Sequence, residues 1–333
     1  MLLKKTGRFV KISGPPERNE HKMRPKVSIG LPVHNGESYV EEAINSMLDQ
    51  TYGDLELIIT DNASTDRTEE ICRDYLNSDS RVLYFRSETN KGASWNFNRA
   101  FHLSRGKYFK WASYDDLCAD TFLERCVEVL DREDSVVLAY AQIAFIDERS
   151  EPIDIRRPFM KNGSSHLKAK NPHKRLRWLF LCPPFDNAFF GLIRVDALKK
   201  TRVTLPFPLS DLSTLAELIL QGKFYEISEK LFYRRIHPLI SRRPDASNRD
   251  IALWFDPQYS GSGHLDALTM LFFSYCSGIH RTPMNKTDKT LCFLQLPFSF
   301  IYISAFAADG VLRLFRMRER VERARFFPIG QEK

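Results

Sequence analysis

Two adjacent carboxylates, Asp115 and Asp116, follow a short apolar run that ends at Ala112. Two like charges this close disfavour each other's ionisation unless a cation neutralises them. A divalent ion carrying phosphates answers that need, because Mg2+ takes one or two carboxylates and completes its shell with phosphate oxygens. Alone, the pair equally fits a turn, where Asp is common. Asp61 and Asn62 end a second apolar run and offer hydrogen-bonding groups suited to a base or ribose edge. Asp66 with Glu69 fits a helix N-cap and is assigned to structure. Asn90-Lys91-Gly92 is either an ordinary turn or a place where backbone approaches a phosphate under the partial positive charge of a helix N-terminus. Asp211 stands before a helical run, as a cap or a proton acceptor. His237, before Pro238, is a metal ligand or a loop histidine.

The elements that must position these residues alternate in type. Val27–Leu31 reads as a buried strand ending at Pro32, and Ser38 to Gln50 has helical spacing with Ser38 and Glu41 as a capping box. Strands over 55–60, 82–86, 108–112 and 136–141 are separated by helices over 66–76, 92–103 and 121–130. Such alternation predicts right-handed βαβ units and a mainly parallel central sheet covered by helices on both faces. Ligands in open sheets of this kind bind beyond the carboxyl ends of the strands. The polar stretches 32–36, 61–66 and 113–116 all fall at such ends, so three loops converge on one crevice, and this placement favours the metal reading of Asp115 and Asp116. Further on, 212–220 reads as a helix stopped by Gly222, and 230–235 as a last strand. The aromatic residues Trp178, Phe180, Phe185, Phe189 and Phe190 read as core.

The chain has 333 residues, 43% apolar and 27% charged, with a formal net charge of +7. Such a composition excludes a disordered polymer and a multi-pass membrane protein. Residues 1–26 carry eight basic and two acidic side chains, and 311–333 carry seven and three. The remainder is mildly acidic, so the positive charge belongs to the two ends rather than to the body. Six cysteines without a CxxC pair indicate reduced thiols and a cytoplasmic setting. The start has no apolar stretch of signal-peptide type. Residues 290–308 run without a charge, and Pro297 and Gln295 argue for a core or interfacial segment rather than a spanning helix.

Together, the segments Val27–Gly36, Ile58–Asp66, Asn90–Gly92 and Trp111–Asp116 resemble, in order and spacing, a family 2 glycosyltransferase of the GT-A fold. The resemblance implies a Rossmann-like α/β domain over 26–240, with a nucleotide-binding half over 26–118 and an acceptor half over 119–240. The basic ends and the charge-free run, rather than the resemblance, predict a basic extension (1–25) before it and a helical extension (241–333) after it, membrane-associating through 290–325 at the inner face of a membrane. The resemblance implies inverting transfer of a sugar from a UDP- or other nucleoside-diphosphate sugar to a glycan, polysaccharide or lipid-linked acceptor. Pro32, Val33, His34 and Asn35 with Asp61 and Asn62 would contact the base and ribose. Asn90, Gly92 and Arg99 would serve the diphosphate. Asp115 and Asp116 would be the DXD-type motif binding Mg2+ or Mn2+, Asp116 more directly, with His237 completing the set, and Asp211 would be the general base. The chain departs from the family at Asn62, commonly aspartate, and at Phe97, commonly arginine. A sugar-nucleotide nucleotidyltransferase is the alternative enzyme, though His34–Glu37 makes a poor triphosphate loop. A nucleic-acid-binding protein is the alternative from another class; a charge confined to the ends argues against it.

Overall fold

The computed structural model describes residues 24–154, 167–181, 186–237, 247–261 and 264–299. The first half alternates as expected: β1 (Val27–Val33), α1 (Val40–Leu48), β2 (Leu55–Asp61), α2 (Thr68–Ser78), β3 (Val82–Arg86), α3 (Ala93–His102) and β4 (Tyr108–Trp111). A short β5 (Leu117–Cys118) leads into α4 (Phe122–Arg132), a long β6 (Val136–Ile146) and β7 (Pro152–Ile153). Beyond lie α5 (Pro172–Leu181), α6 (Asp186–Phe189), β8 (Leu192–Arg194), α7 (Val195–Leu198), α8 (Ser210–Gln221) and β9 (Lys223–Arg235). The helices α9 (Asn248–Phe255), α10 (His264–Arg281) and α11 (Lys286–Phe293) follow.

Among the described residues one sheet runs β3-β2-β1-β4-β8-β6-β9-β5, with β7 beside β6. The β3-β2-β1-β4 portion is parallel, and β8 turns the sheet antiparallel on both its sides. β1 and β2 are buried along their whole length, as a strand covered on both faces must be. One core cluster joins α1 and α4 to the sheet. The other lies among α3, α5, α8 and α10 and contains Trp111, stacked on Phe189 at 4.6 Å. Phe180 and Phe189 are buried there, and Trp178 and Phe190 pack against it, so these aromatics are core as expected; Phe185 lies outside the described residues.

Two local expectations are corrected and two are kept, one of them for a different reason. The N-terminus of α1 has no side-chain cap, so Ser38 and Glu41 form no capping box; the N–H groups of Tyr39 and Val40 donate to the Gly36 carbonyl instead. Glu69 does not return to the start of α2, because its carboxylate is taken by Arg73 and Arg86. Asp66 does hold that end, accepting from the Thr68 N–H at 3.0 Å. Gly222 ends α8 in an extended conformation (φ −165°), not a left-handed one; a Cβ there would lie 2.3 Å from Val137 Cγ1, so close packing is what calls for glycine.

The described helices after β9 pack on the rest of the fold. Leu271, Tyr275 and Ile279 of α10 belong to the second core cluster, and Gly278 lets α10 approach Glu217 of α8. The charge-free run from 290 is not one helix, since α11 ends at Phe293. No helix among the described residues is long and apolar enough to cross a membrane. The basic stretches 1–23 and 311–333, Cys182 and the rest of the charge-free run beyond 299 lie outside the described residues.

Candidate active site

The register of the parallel strands sets Val33 beside Asp61, so the first two loops leave the sheet together. They are stitched by polar contacts. The Asn35 N–H donates to Ser64 Oγ (2.9 Å), its Oδ1 accepts from the Thr65 N–H (2.8 Å), and Asn35 itself takes a left-handed φ of 52°. The Gly36 N–H donates to Thr68 Oγ1 (2.8 Å) and the Glu37 N–H to Asp66 Oδ2 (3.0 Å). A Cβ on Gly36 would meet Tyr114 at 2.9 Å, which places the loop after β4 directly against the loop after β1.

Asp61 is fully buried. Its Oδ1 accepts from the Ser64 N–H (2.8 Å), its Oδ2 from the Tyr84 hydroxyl (2.6 Å), and Arg86 Nε lies 3.4 Å away. Burial, and then this bond to Asp61, push the Tyr84 hydroxyl far above its usual range, so it stays a donor. Asn62 Nδ2 donates to Asn90 Oδ1 (2.8 Å) and to the Gly92 carbonyl (3.2 Å), while its Oδ1 accepts from the Lys91 N–H (3.0 Å). Asn90 Nδ2 lies 3.2 Å from His34 Nε2, which links the loops after β1, β2 and β3 in one chain. Gly92 opens α3 with φ 85°, and a Cβ there would lie 2.5 Å from the Phe255 carbonyl oxygen. Arg99 holds the carboxyl end of β3: its guanidinium donates to the Phe85 and Arg86 carbonyls and lies over Trp95. Phe97 packs against Trp111 and Phe189, which explains an apolar residue there.

Asp115 and Asp116 sit between β4 and β5, and the pairing of β5 with β9 carries His237 to them. His237 Nε2 lies 3.0 Å from Asp115 Oδ2, Ser113 Oγ donates to Asp115 Oδ1, and Asp116 Oδ1 accepts from the Arg235 N–H (2.9 Å). Burial first, and then the Asp115 charge, push the Asp116 carboxyl up to about 7. The His237 Nδ1 atom is buried with no hydrogen-bond partner. Two carboxylates that resist joint ionisation beside an imidazole suit a hard divalent cation. Among the described residues no group of three or more His, Cys, Asp or Glu side chains is placed to hold a metal ion by itself.

Asp211 lies in the first turn of α8 rather than before it, after Leu209 in a left-handed conformation. The segment leading to it is sewn to α3: Ser94 Oγ donates to the Leu205 carbonyl (2.8 Å) and Asn98 Nδ2 to the Thr204 carbonyl (2.9 Å). The chain that enters α8 is thus held to the helix that Gly92 begins.

Arg235, Tyr84, Ser113 and Lys110 had no assigned role in the sequence reading. The buried Lys110 donates to the Phe190 carbonyl at 2.6 Å and contributes positive potential at Asp116. Its position inside an apolar strand was the available signal. For Arg235 the signal was a cation two residues before His237, at the end of a strand.

The amino-acid sequence over residues 28–202 matches the family described as Glycosyl transferase family 2. The chain belongs to that family. An uncharacterised glycosyltransferase of Rickettsia typhi is 36% identical over 144 residues, which is 43% of this chain and 44% of that protein. The putative teichuronic acid biosynthesis glycosyltransferase TuaG of Bacillus subtilis is 30% identical over 131 residues, 39% of this chain and 52% of TuaG. The match thus spans about half the length of these family 2 relatives, or less. Two solved structures share the fold. Staphylococcus aureus TarS 1–349 in complex with UDP-GlcNAc aligns with TM-score 0.60 and 17% identity, over 83% of this chain and 73% of that one. The mannosyltransferase PcManGT of Pyrobaculum calidifontis, in complex with GDP-Man and Mn2+, aligns with TM-score 0.53 and 16% identity, over 91% and 81%. The α/β architecture expected of a family 2 member is therefore the one present.

Proposed function

We propose that this chain is an inverting, metal-assisted glycosyltransferase that moves a sugar from a nucleoside-diphosphate sugar to an acceptor hydroxyl. The observation that supports this most is the 3.0 Å contact of His237 with Asp115, beside Asp116, at the sheet edge where the Asp61–Asn62 loop also ends. Family membership favours transfer over nucleotidyl chemistry. Asp115, Asp116 and His237 would hold Mg2+ or Mn2+, whose chemistry is to neutralise the charge of the leaving diphosphate. His34, Asn35 and Asn62, on the frame set by Pro32, Val33 and Asp61, bind the base and ribose. Asn90 and Gly92 bring backbone N–H groups and the α3 N-terminus toward the phosphates. Arg99 supports that loop from behind. Asp211 accepts the proton of the acceptor hydroxyl as its oxygen attacks the anomeric carbon, and a single displacement inverts that centre.

UDP-GlcNAc and GDP-Man, held by the two solved structures, are the first donors to test. The acceptor is a glycan or lipid-linked hydroxyl, as in polysaccharide biosynthesis, met from the cytoplasmic side. A panel of nucleotide sugars assayed for hydrolysis with Mn2+ or Mg2+ tests the reading. One donor should be hydrolysed only with metal, Asp116→Ala should lose that activity, and Asp211→Asn should keep donor binding while transfer falls by roughly 10²–10⁴. Hydrolysis of no donor with either metal would sink the reading, and full transfer by Asp211→Asn would move the base elsewhere.

A further inference from the structure

We propose that Arg235 is a positioning residue that fixes the Asp115–Asp116 carboxylates for the metal and diphosphate, and that Glu42 is the counter-charge that makes this possible. The proposal deepens the glycosyltransferase reading and rests on it. Arg235 is among the largest fully buried side chains described, at 0% exposure. A guanidinium so placed must have its donors met and its charge balanced. Its Nε donates to the Asp115 carbonyl oxygen (2.9 Å), and its own backbone N–H to Asp116 Oδ1 (2.9 Å). Nη1 donates to Ser150 Oγ (2.9 Å) and to the Asp147 carbonyl (3.2 Å), and Nη2 to Glu42 Oε2 (2.7 Å). The guanidinium lies over the Tyr39 ring at 4.5 Å, and that ring is 4.8 Å from the His237 ring.

The division of these contacts carries the argument. The ion pair goes to Glu42 on α1, while Asp115 is gripped by its main chain and Asp116 by a neutral N–H. The carboxylate charges of Asp115 and Asp116 are therefore left for a cation rather than spent on the arginine. One planar fork joins α1, the 147–150 turn and the carboxylate loop, and His237 follows two residues later. A lysine, with one point charge and no fixed fork, cannot span these partners. Removing a group that orients metal ligands typically costs 10–100-fold in metal affinity.

The test is titration calorimetry of Mn2+ into the full chain with UDP or GDP, whichever binds, beside nucleotide binding without metal. Asp115→Asn serves as the reference for the metal site. Arg235→Lys should raise the apparent Mn2+ Kd by roughly 10–100-fold, with metal-free nucleotide affinity within about twofold of wild type. Glu42→Gln should move the same constant in the same direction. Should Arg235→Lys fail to fold, Glu42→Gln decides on that readout. Wild-type Mn2+ affinity in the deciding variant, with Asp115→Asn impaired, overturns the positioning role and leaves the metal site standing. Equal loss of metal-free binding also overturns it, because that marks general damage. Unchanged Mn2+ affinity in Asp115→Asn, or no Mn2+ binding by wild type with either nucleotide, overturns both readings.

Discussion

At Asn62 the family commonly has aspartate, and the contacts here explain the amide. Its Nδ2 faces two acceptors, Asn90 Oδ1 and the Gly92 carbonyl, and its Oδ1 faces a donor, the Lys91 N–H. A carboxylate would keep the last contact and set a negative oxygen against both acceptors. Asn62→Asp should therefore lower stability by about 1–3 kcal/mol, the usual range for a buried polar group left facing the wrong partner. Urea unfolding followed by tryptophan fluorescence checks this, and an unchanged midpoint would contradict it. That Asp61 and Asn62 matter was legible from their types at a strand end. Which of them frames the loop and which links it to Asn90 was not, because that depends on Tyr84 and Asn90, distant in sequence.

At the scale of elements, α3 is the hub of the crevice. Asn96 Nδ2 donates to the Thr60 carbonyl (2.6 Å), which ties the helix to the end of β2, and Gly92 starts it against α9. Gly92→Ala would force a Cβ onto the Phe255 carbonyl at a left-handed φ. We expect a loss of about 1–3 kcal/mol and weaker nucleotide binding, read by thermal unfolding with and without nucleotide. Wild-type values for both would show that α9 yields freely. The first four strands and their helices were legible because short, mostly apolar runs bounded by turn residues alternate with helical spacing. β9 was legible only from 230, although it begins at Lys223. Its burial does not alternate cleanly and its pairing with β6 shifts register near Gln142, so no period of two marks its start.

Across the whole molecule, the two edges of the parallel sheet differ in kind. At the amino edge Glu56 is satisfied internally, by Ser28 Oγ (2.7 Å) and Arg105 Nη2 (2.6 Å), and that edge is closed. The carboxyl edge gathers the loops and the carboxylate pair. Acid stability should follow two further carboxylates that brace the fold. Burial pulls Asp66 upward, but the Thr68 hydroxyl and the Glu37 and Thr68 N–H groups outweigh it and hold it below 3.8. For Asp131 burial is likewise outweighed, by Lys26 and Tyr108. With folded values lowered, their stabilisation is present above the ordinary value of 3.8 and is lost as pH falls through the folded values. Melting temperature should therefore fall below about pH 4, and Asp66→Asn should reduce that fall; an unaltered profile would remove Asp66 from the account.

The amino-acid sequence by itself determined the parallel half of the sheet and the loops at its carboxyl edge. Strand periodicity and polar residues at strand ends are local properties, readable from neighbours along the chain. Tertiary structure decided what depends on distant partners. The pairing of β5 with β9 brings His237 to Asp115, a separation of 122 residues. The fork of Arg235, braced by Glu42, sets the carboxylate loop, and no spacing announces a contact made across three elements.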